Sequence, residues 1–135
     1  MKQMVYTKQR YPHGQEVILY NGVKDGYKFC ILSYGTHPCA YVKVPKGHCC
    51  FGKEYGELED IECHYGLTYS RNYFPACEES NNEWWIGWDY AHCDDYMGYY
   101  EGDGTSLEYN SKRWSTEEIY SEVCDVIRQL KEMED

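Results

Sequence analysis

The chain has 135 residues with no shift in composition, so we expect a single domain over residues 1–135. It has 23 acidic and 13 basic residues, giving a net charge of −10 and no basic run, which argues against nucleic-acid binding. Its first residues lack the apolar core of a signal peptide, and no apolar run could span a membrane. We therefore expect a cytoplasmic protein without membrane contact, whose eight cysteines stay reduced.

The first half of the chain predicts antiparallel strands. Three stretches rich in aromatic and β-branched residues are expected as strands: 16–20, 27–34 and 39–44. Asn21-Gly22 has the chemistry of a hairpin turn, although Lys24-Asp25-Gly26 delays the second strand. Pro45-Lys46-Gly47 ends the third strand with turn residues.

The middle of the chain is dotted with glycine and polar residues and predicts loops over 47–58, 74–83 and 97–109. Two further short strands are expected, at 61–64 and 84–90. In the second of these, one face carries Trp84, Ile86, Trp88 and Tyr90, and the other carries Trp85, Gly87 and Asp89. We interpret the first face as core and the second as the better candidate for a binding surface.

The C-terminal segment predicts a helix over 116–133. Ser115-Thr116-Glu117-Glu118 is a capping-box pattern. Apolar residues then recur at helical spacing, at Ile119, Val123, Val126, Ile127, Leu130 and Met133. This stripe should pack on the sheet, so the expected class is α+β, an antiparallel β-meander packed by one long C-terminal helix, with a loop-rich middle.

Four of the five histidines lie within two residues of a cysteine, which raises the question of a metal site. These pairs are His37 with Cys39, His48 with Cys49 and Cys50, Cys63 with His64, and His92 with Cys93. Zinc prefers such ligands, yet C-x2-C and H-x3-H spacings are absent. Buried reduced cysteine is the simpler interpretation, and we expect no metal and no cofactor.

Aromatic residues make up 17% of the chain, including sixteen tyrosines, and they predict a pocket whose rings stack on a planar ligand. Trp85 and Tyr69 are the expected stacking surfaces, and Arg71 is the expected anion contact. The expected polar contacts are His64, Thr68, Asp89 and His92. Tyrosine-rich surfaces also suit subunit contacts, so a homo-oligomer is one expectation.

Two other classes of function compete with ligand binding. Asp89, His92, Asp95 and His64 could serve a metal-assisted hydrolase, although no known hydrolase motif is present, so the balance is against an enzyme. The acidic surface could instead block a protein of a defence complex, which predicts co-purification with that protein and strong dependence on salt.

Two segments of the chain resemble a family of small, largely uncharacterised proteins from phages, prophages and bacteria. Residues 64–70 read H-Y-G-L-T-Y-S, where the family has H-G-G-L-T-[YF]-[SA]. Residues 84–95 read W-W-I-G-W-D-Y-A-H-C-D-D, where it has W-W-[IF]-G-F-D-[CT]-A-H-x-G-D. Residues 40–53 are similar to its G-Y-V-x-[VI]-P-x-G-H-P-x-[YF]-G-K pattern.

The resemblance sorts the candidate residues. Matching positions are His48, His64, Thr68, Trp85, Asp89 and His92, whereas the pattern has other residues at Cys49, Cys50, Cys63 and Cys93. Tyr65 and Asp94 replace glycines of the pattern. The resemblance implies a phage accessory protein that evades immunity in the host cytoplasm. Our hypothesis is that it sequesters a nucleotide-derived defence signal, and that Trp85→Ala abolishes binding while the fold stays intact.

Overall fold

A computed structural model describes residues 17–33, 37–74, 82–92, 95, 112 and 114–134. The described residues form strands β1 (Val17–Lys24), β2 (Tyr27–Ser33), β3 (Pro38–Lys43), β4 (Tyr69–Arg71) and β5 (Trp85–Asp89), a short 3-10 helix (Tyr55–Glu57) and helix α1 (Thr116–Glu132). All neighbouring strands pair antiparallel, in the order β1-β2-β3-β5-β4. The predicted α+β class, an antiparallel sheet packed by one C-terminal helix, is confirmed. The last strand in sequence lies inside the sheet, between β3 and β4.

The first hairpin turns later than its Asn-Gly pair indicates. Asn21 and Gly22 lie within β1, opposite Cys30 and Phe29 of β2. The turn is at Asp25 and Gly26, whose φ angles of 53° and 86° give the left-handed geometry of a two-residue hairpin. Asn21-Gly22 and Asp25-Gly26 both suit such a turn. The turn forms at the second pair because strand β1 then extends to Lys24 and forms more cross-strand pairs with β2.

The strand expected at 61–64 is wrong, because the fourth strand lies further on, at Tyr69–Arg71. Ile61 is buried in the core, but the chain then turns through Tyr65 and Gly66, which have φ angles of 58° and 83°. Two consecutive left-handed residues end an extended segment. Of the predicted loops, 97–109 lies outside the described residues, and so does most of 74–83.

Helix α1 covers one face of the sheet and closes the main core. The predicted capping box is confirmed, since the Ser115 side chain accepts from the Glu118 N–H and the Glu118 side chain accepts from the Ser115 N–H. The predicted stripe is buried over Ile119 to Leu130, and Met133 packs partly buried against the same core. The described helices include none long and apolar enough to cross a membrane.

The predicted faces of β5 are also confirmed. Ile86, Trp88 and Tyr90 are buried in the main core beneath the helix. The opposite face of the sheet carries a smaller buried cluster, formed by Cys30, Leu32, Cys39, Tyr41 and Trp85, with Tyr69 and Phe74 packed against it. The alternation of side chains along a strand separates the two clusters.

Gly87 shapes the middle of this second face. A Cβ atom added at Gly87 would lie 2.4 Å from Cδ1 of Tyr41 and 2.7 Å from the backbone oxygen of Ala40. Tyr41 and Tyr69 flank Gly87 in register, and their rings meet edge to face at 5.2 Å. The missing side chain therefore lets a tyrosine of β3 reach a tyrosine of β4 across β5.

Candidate functional site

Asp95 gathers three segments of the chain around one buried carboxylate. His64 Nε2 lies 2.8 Å from Asp95 Oδ2 and 3.0 Å from Oδ1. Trp114 Nε1 donates to Oδ1 at 2.8 Å, and the His92 backbone N–H donates to Oδ2 at 3.0 Å. Because a carboxylate only accepts, His64 carries its proton on Nε2, and Asp95 fixes the orientation of the imidazole.

The His64 ring lies inside an aromatic enclosure. It stacks on Tyr90 at 4.7 Å and meets the edges of Trp114 at 4.9 Å and His92 at 5.5 Å. His92 in turn stacks on Tyr65 at 4.1 Å. The two histidines of the sequence motifs therefore lie side by side, and Trp114 completes the enclosure from the start of the helix.

Tyr65 covers His92 from the solvent side. Its side chain is 57% exposed and its φ is 58°, a left-handed conformation that favours glycine. A tyrosine held there supplies an aromatic surface at the cost of backbone strain.

Tyr90 connects the site to helix α1. Its hydroxyl group donates to the Glu122 carboxylate and accepts from Trp88 Nε1 at 3.0 Å. Burial, together with the Glu122 charge and hydrogen bond, raises the pKa of Tyr90 well above its ordinary value. The hydroxyl therefore stays protonated, and this bond holds the helix against the floor of the site.

Asp89 forms a second, more accessible cluster with Thr68. Thr68 Oγ1 donates to Asp89 Oδ2 at 2.8 Å, and the Ala91 N–H donates to Oδ1 at 3.2 Å. His92 Nε2 lies 3.3 Å from Asp89 Oδ1. The contact is close but poorly directed, so this buried nitrogen has no hydrogen-bond partner in the described part of the chain. Such atoms are uncommon in folded proteins, so His92 Nε2 is a candidate for a role in the site.

A pocket of about 290 Å³ opens beside Asp89, at the ends of β3, β4 and β5. Its lining includes His37, Cys39, Tyr41, Thr68, Tyr69 and Asp89. One wall is polar and the other consists of tyrosine rings. None of the described lining residues is Lys or Arg, so the pocket carries a negative charge from Asp89.

His37 also lines this pocket. In sequence it is a candidate metal ligand, paired with Cys39, and not a predicted ligand-binding residue. Burial lowers its pKa below the ordinary value of 6.5, and the charge of His92 lowers it further. Asp89 and Asp95 oppose this effect. The balance keeps His37 neutral at physiological pH, able to both donate and accept a hydrogen bond.

The lowered pKa of His37 predicts a loss of stability in acid. In the unfolded chain His37 takes up a proton near pH 6.5, whereas in the folded protein it does so only at lower pH. The stability that the neutral imidazole contributes is therefore complete above about pH 6.5 and is lost as the pH falls towards the folded pKa. We expect His37→Gln to have a shallower decline in free energy of unfolding than the wild type between about pH 7 and 5. Urea denaturation across this range measures it, and identical slopes would contradict the assignment.

Trp85 does not line the pocket beside Asp89. Its side chain is 3% exposed, packs on Phe74 at 4.9 Å, and donates from Nε1 to Glu83 Oε1 at 2.9 Å. It lies four residues before Asp89 on the same strand, roughly 13 Å away. The expected stacking surface is therefore a core residue of the second cluster, and its replacement would disturb the fold as well as any ligand.

The remaining predicted site residues divide into two groups. Those that the structure brings together are His64, Thr68, Tyr69, Asp89 and His92. Arg71 is exposed at the far end of β4, opposite Trp85, and shares a face with Tyr69. Trp114 was missed by sequence reasoning because nothing local connects it to Asp95.

The described thiols nearest His37 and His64 in sequence, Cys39 and Cys63, are buried and partly buried. Burial raises the pKa of Cys39 and Cys63, and that of Cys30 on the neighbouring strand, to about 12. Such thiols stay protonated at physiological pH and are poor nucleophiles. Three of the six described cysteines, Cys30, Cys39 and Cys50, are buried, and all six are free thiols.

The four residues of the hydrolase alternative meet as two pairs, His64 with Asp95 and His92 with Asp89. Both Asp95 oxygens already accept from N–H donors, which leaves little capacity for a cation. Within the described ranges, three metal-donor atoms come within 4.8 Å of one another only at residues 48–50. The four residues therefore form two separate pairs and not one metal-ligand set.

Comparison with known proteins adds no relative: no protein-family model, curated protein or solved structure matches the chain. The geometry of the pocket is therefore the basis of the functional proposal.

Proposed function

We propose that the protein binds a small planar ligand in the pocket beside Asp89 and holds it without converting it. The observation that carries this proposal is the pairing of a polar wall, at Asp89 and Thr68, with the tyrosine rings of Tyr41 and Tyr69. A flat, partly polar molecule satisfies both walls at once.

The polar wall favours ligands that present N–H or O–H donors. Asp89 carries a charge and keeps lone pairs beyond those used by Thr68 and the Ala91 N–H. The Thr68 hydroxyl donates its one hydrogen to Asp89, so towards a ligand its oxygen can only accept. An exocyclic amine or a ring N–H of a base is matched to these groups.

Size and charge limit how a nucleotide could bind. About 290 Å³ is at the lower end of ligand pockets, which run from roughly 300 to 1,000 Å³. A base or nucleoside would fill it, and the absence of Lys and Arg from its described lining argues against a phosphate inside the pocket. Arg71, exposed two residues beyond Tyr69 on the same face of β4, is the candidate contact for that phosphate. We propose that the ligand is a nucleotide-derived defence signal, which the protein sequesters.

Binding is tested with a panel of bases, nucleosides and nucleotides, by native mass spectrometry and calorimetry. We expect Asp89→Asn and Thr68→Val to weaken binding by about 10- to 100-fold, since each removes a hydrogen bond to the ligand. Arg71→Ala should weaken only phosphorylated ligands. Asp60→Asn, an exposed carboxylate elsewhere, is the matched control. Wild-type affinity in folded Asp89→Asn and Thr68→Val would refute the pocket.

Acid–base hydrolysis is the second candidate, favoured by the buried His92 Nε2 beside Asp89. His92 would take a proton from an attacking water, and Asp89 would stabilise the resulting imidazolium. The two candidates differ in what is recovered after denaturation: an intact ligand supports binding, whereas a product that forms in the presence of a chelator and disappears in His92→Gln supports hydrolysis.

A further inference from the structure

A tight series of turns brings two thiols and an imidazole together on the other side of the molecule. Gly47 and Gly52 adopt φ angles of 91° and 82°, which allow the chain to reverse within residues 45–53. Backbone hydrogen bonds hold the turns, from the His48 N–H to Pro45 O at 3.2 Å and from the Phe51 N–H to His48 O at 3.0 Å. The side chains of His48, Cys49 and Cys50 are thereby gathered at one place.

The end of helix α1 adds a third sulfur atom to this group. Met133 Sδ lies 3.6 Å from Cys50 Sγ, and Cys49 Sγ lies 3.9 Å from His48 Nδ1. Donor atoms of His48, Cys49 and Cys50 lie within 4.8 Å of one another. Two ligands at about 2.3 Å from one tetrahedral ion are roughly 3.8 Å apart, so the spacing already suits coordination.

The imidazole of His48 is oriented as in a metal site. Its Nε2 lies 2.8 Å from the carbonyl oxygen of Leu130, which can only accept, so Nε2 carries the proton. Nδ1 is therefore unprotonated, as a histidine ligand requires, and lies 3.9 Å from Cys49 Sγ. The Cys50 N–H occupies Nδ1 at 3.0 Å, and coordination would replace that bond. Capping of the helix by His48 accounts for Nε2, core packing accounts for the positions of Cys50 and Met133, and Cys49 Sγ lies 3.7 Å from Met133 O.

We propose that His48, Cys49, Cys50 and Met133 bind one soft, thiophilic ion of the copper(I) class. Thiolate and thioether ligands select such ions, whereas zinc sites use cysteine, histidine and carboxylate but not methionine. Each cysteine releases its proton to solvent as it coordinates. The site is separate from the ligand pocket and does not depend on its function.

Solvent can reach three of the four donor residues, whereas Cys50 is buried. Cys49 is exposed, and a pocket of about 330 Å³ is lined by Gly47, His48, Cys49, Met133 and Glu134. An ion bound there would join the turn at 48–50 to the C-terminal end of α1. Binding should therefore raise the melting temperature in addition to any spectroscopic change.

The test titrates reduced full-length protein with copper(I) under anaerobic conditions, against a chromophoric copper(I) chelator. We expect one equivalent to be withdrawn and the melting temperature to rise. Cys49→Ser should weaken binding by about 100-fold and Met133→Leu by about 10-fold, because thioether ligation is weaker. Cys49 is exposed, so its serine variant should fold. Cys124→Ser, on the helix away from the turn, is the matched control and should bind as the wild type does.

The zinc titration separates this ion class from its nearest competitor. Zinc binding that equals or exceeds copper(I) binding and is unaffected by Met133→Leu would overturn the copper(I) assignment. Failure of the wild type to compete for copper(I), or equal competition by Cys49→Ser, would overturn the site altogether. None of these outcomes would bear on the pocket beside Asp89.

Discussion

Replacing Asp95 with alanine is expected to lower the free energy of unfolding by about 3–5 kcal/mol. Asp95 is 5% exposed and accepts from His64, Trp114 and the His92 backbone. Its removal leaves three partly buried N–H donors without their acceptor, and an unsatisfied donor costs up to about 1–3 kcal/mol when its surroundings cannot relax. The segments that contain His64, His92 and Trp114 would then no longer be joined through one shared acceptor.

Urea and thermal denaturation measure this effect, with an expected fall in melting temperature of roughly 10–20 °C for a domain of this size. Asp60→Ala, which removes an exposed carboxylate, should change stability by less than about 0.5 kcal/mol. If Asp95→Ala unfolds with the same free energy as Asp60→Ala, Asp95 does not hold the site together.

Trp85→Ala should also destabilise the fold strongly, by about 3–5 kcal/mol. The side chain is 3% exposed in the second cluster, packed on Phe74 and hydrogen-bonded to Glu83, so truncation opens a large cavity beside the sheet. This replaces the expectation that Trp85→Ala removes binding from an intact fold. Binding is better tested at Asp89 and Thr68, which are more exposed.

Equilibrium unfolding of Trp85→Ala, Trp85→Phe and Tyr55→Ala provides the comparison. Trp85→Phe keeps much of the packing and should lose less than the alanine variant. Tyr55 is an aromatic residue that is 48% exposed, and its truncation should cost little. A Trp85→Ala protein as stable as the wild type that no longer binds ligand would restore Trp85 as a contact residue.

Local features of the chain were predictable because their causes are local. The capping box at Ser115 and Glu118 and the apolar stripe of α1 depend on residues within a few turns of one helix. The two faces of β5 follow from alternation alone. The hairpin was harder, because Asn21-Gly22 and Asp25-Gly26 suit the same turn and only pairing with β2 selects the second.

The site itself was predictable only as a set of residue types. The motif residues Thr68, Tyr69 and Asp89 do line one pocket, and His64 and His92 do lie side by side. Their separation in sequence does not reveal these contacts. They arise because β5 inserts between β3 and β4, which places the end of one motif against the beginning of the other.

The α+β class, the helix with its cap and the residues that could carry chemistry all follow from local patterns in the chain. Tertiary structure decided that Asp95 meets Trp114, that Trp85 belongs to the core, and that Met133 joins residues 48–50 from the far end of the chain. The two sets of features differ in the sequence distance over which their causes act. Propensity, capping and alternation act over a few residues, whereas a site assembled from separate segments depends on how the packed sheet and helix bring those segments together.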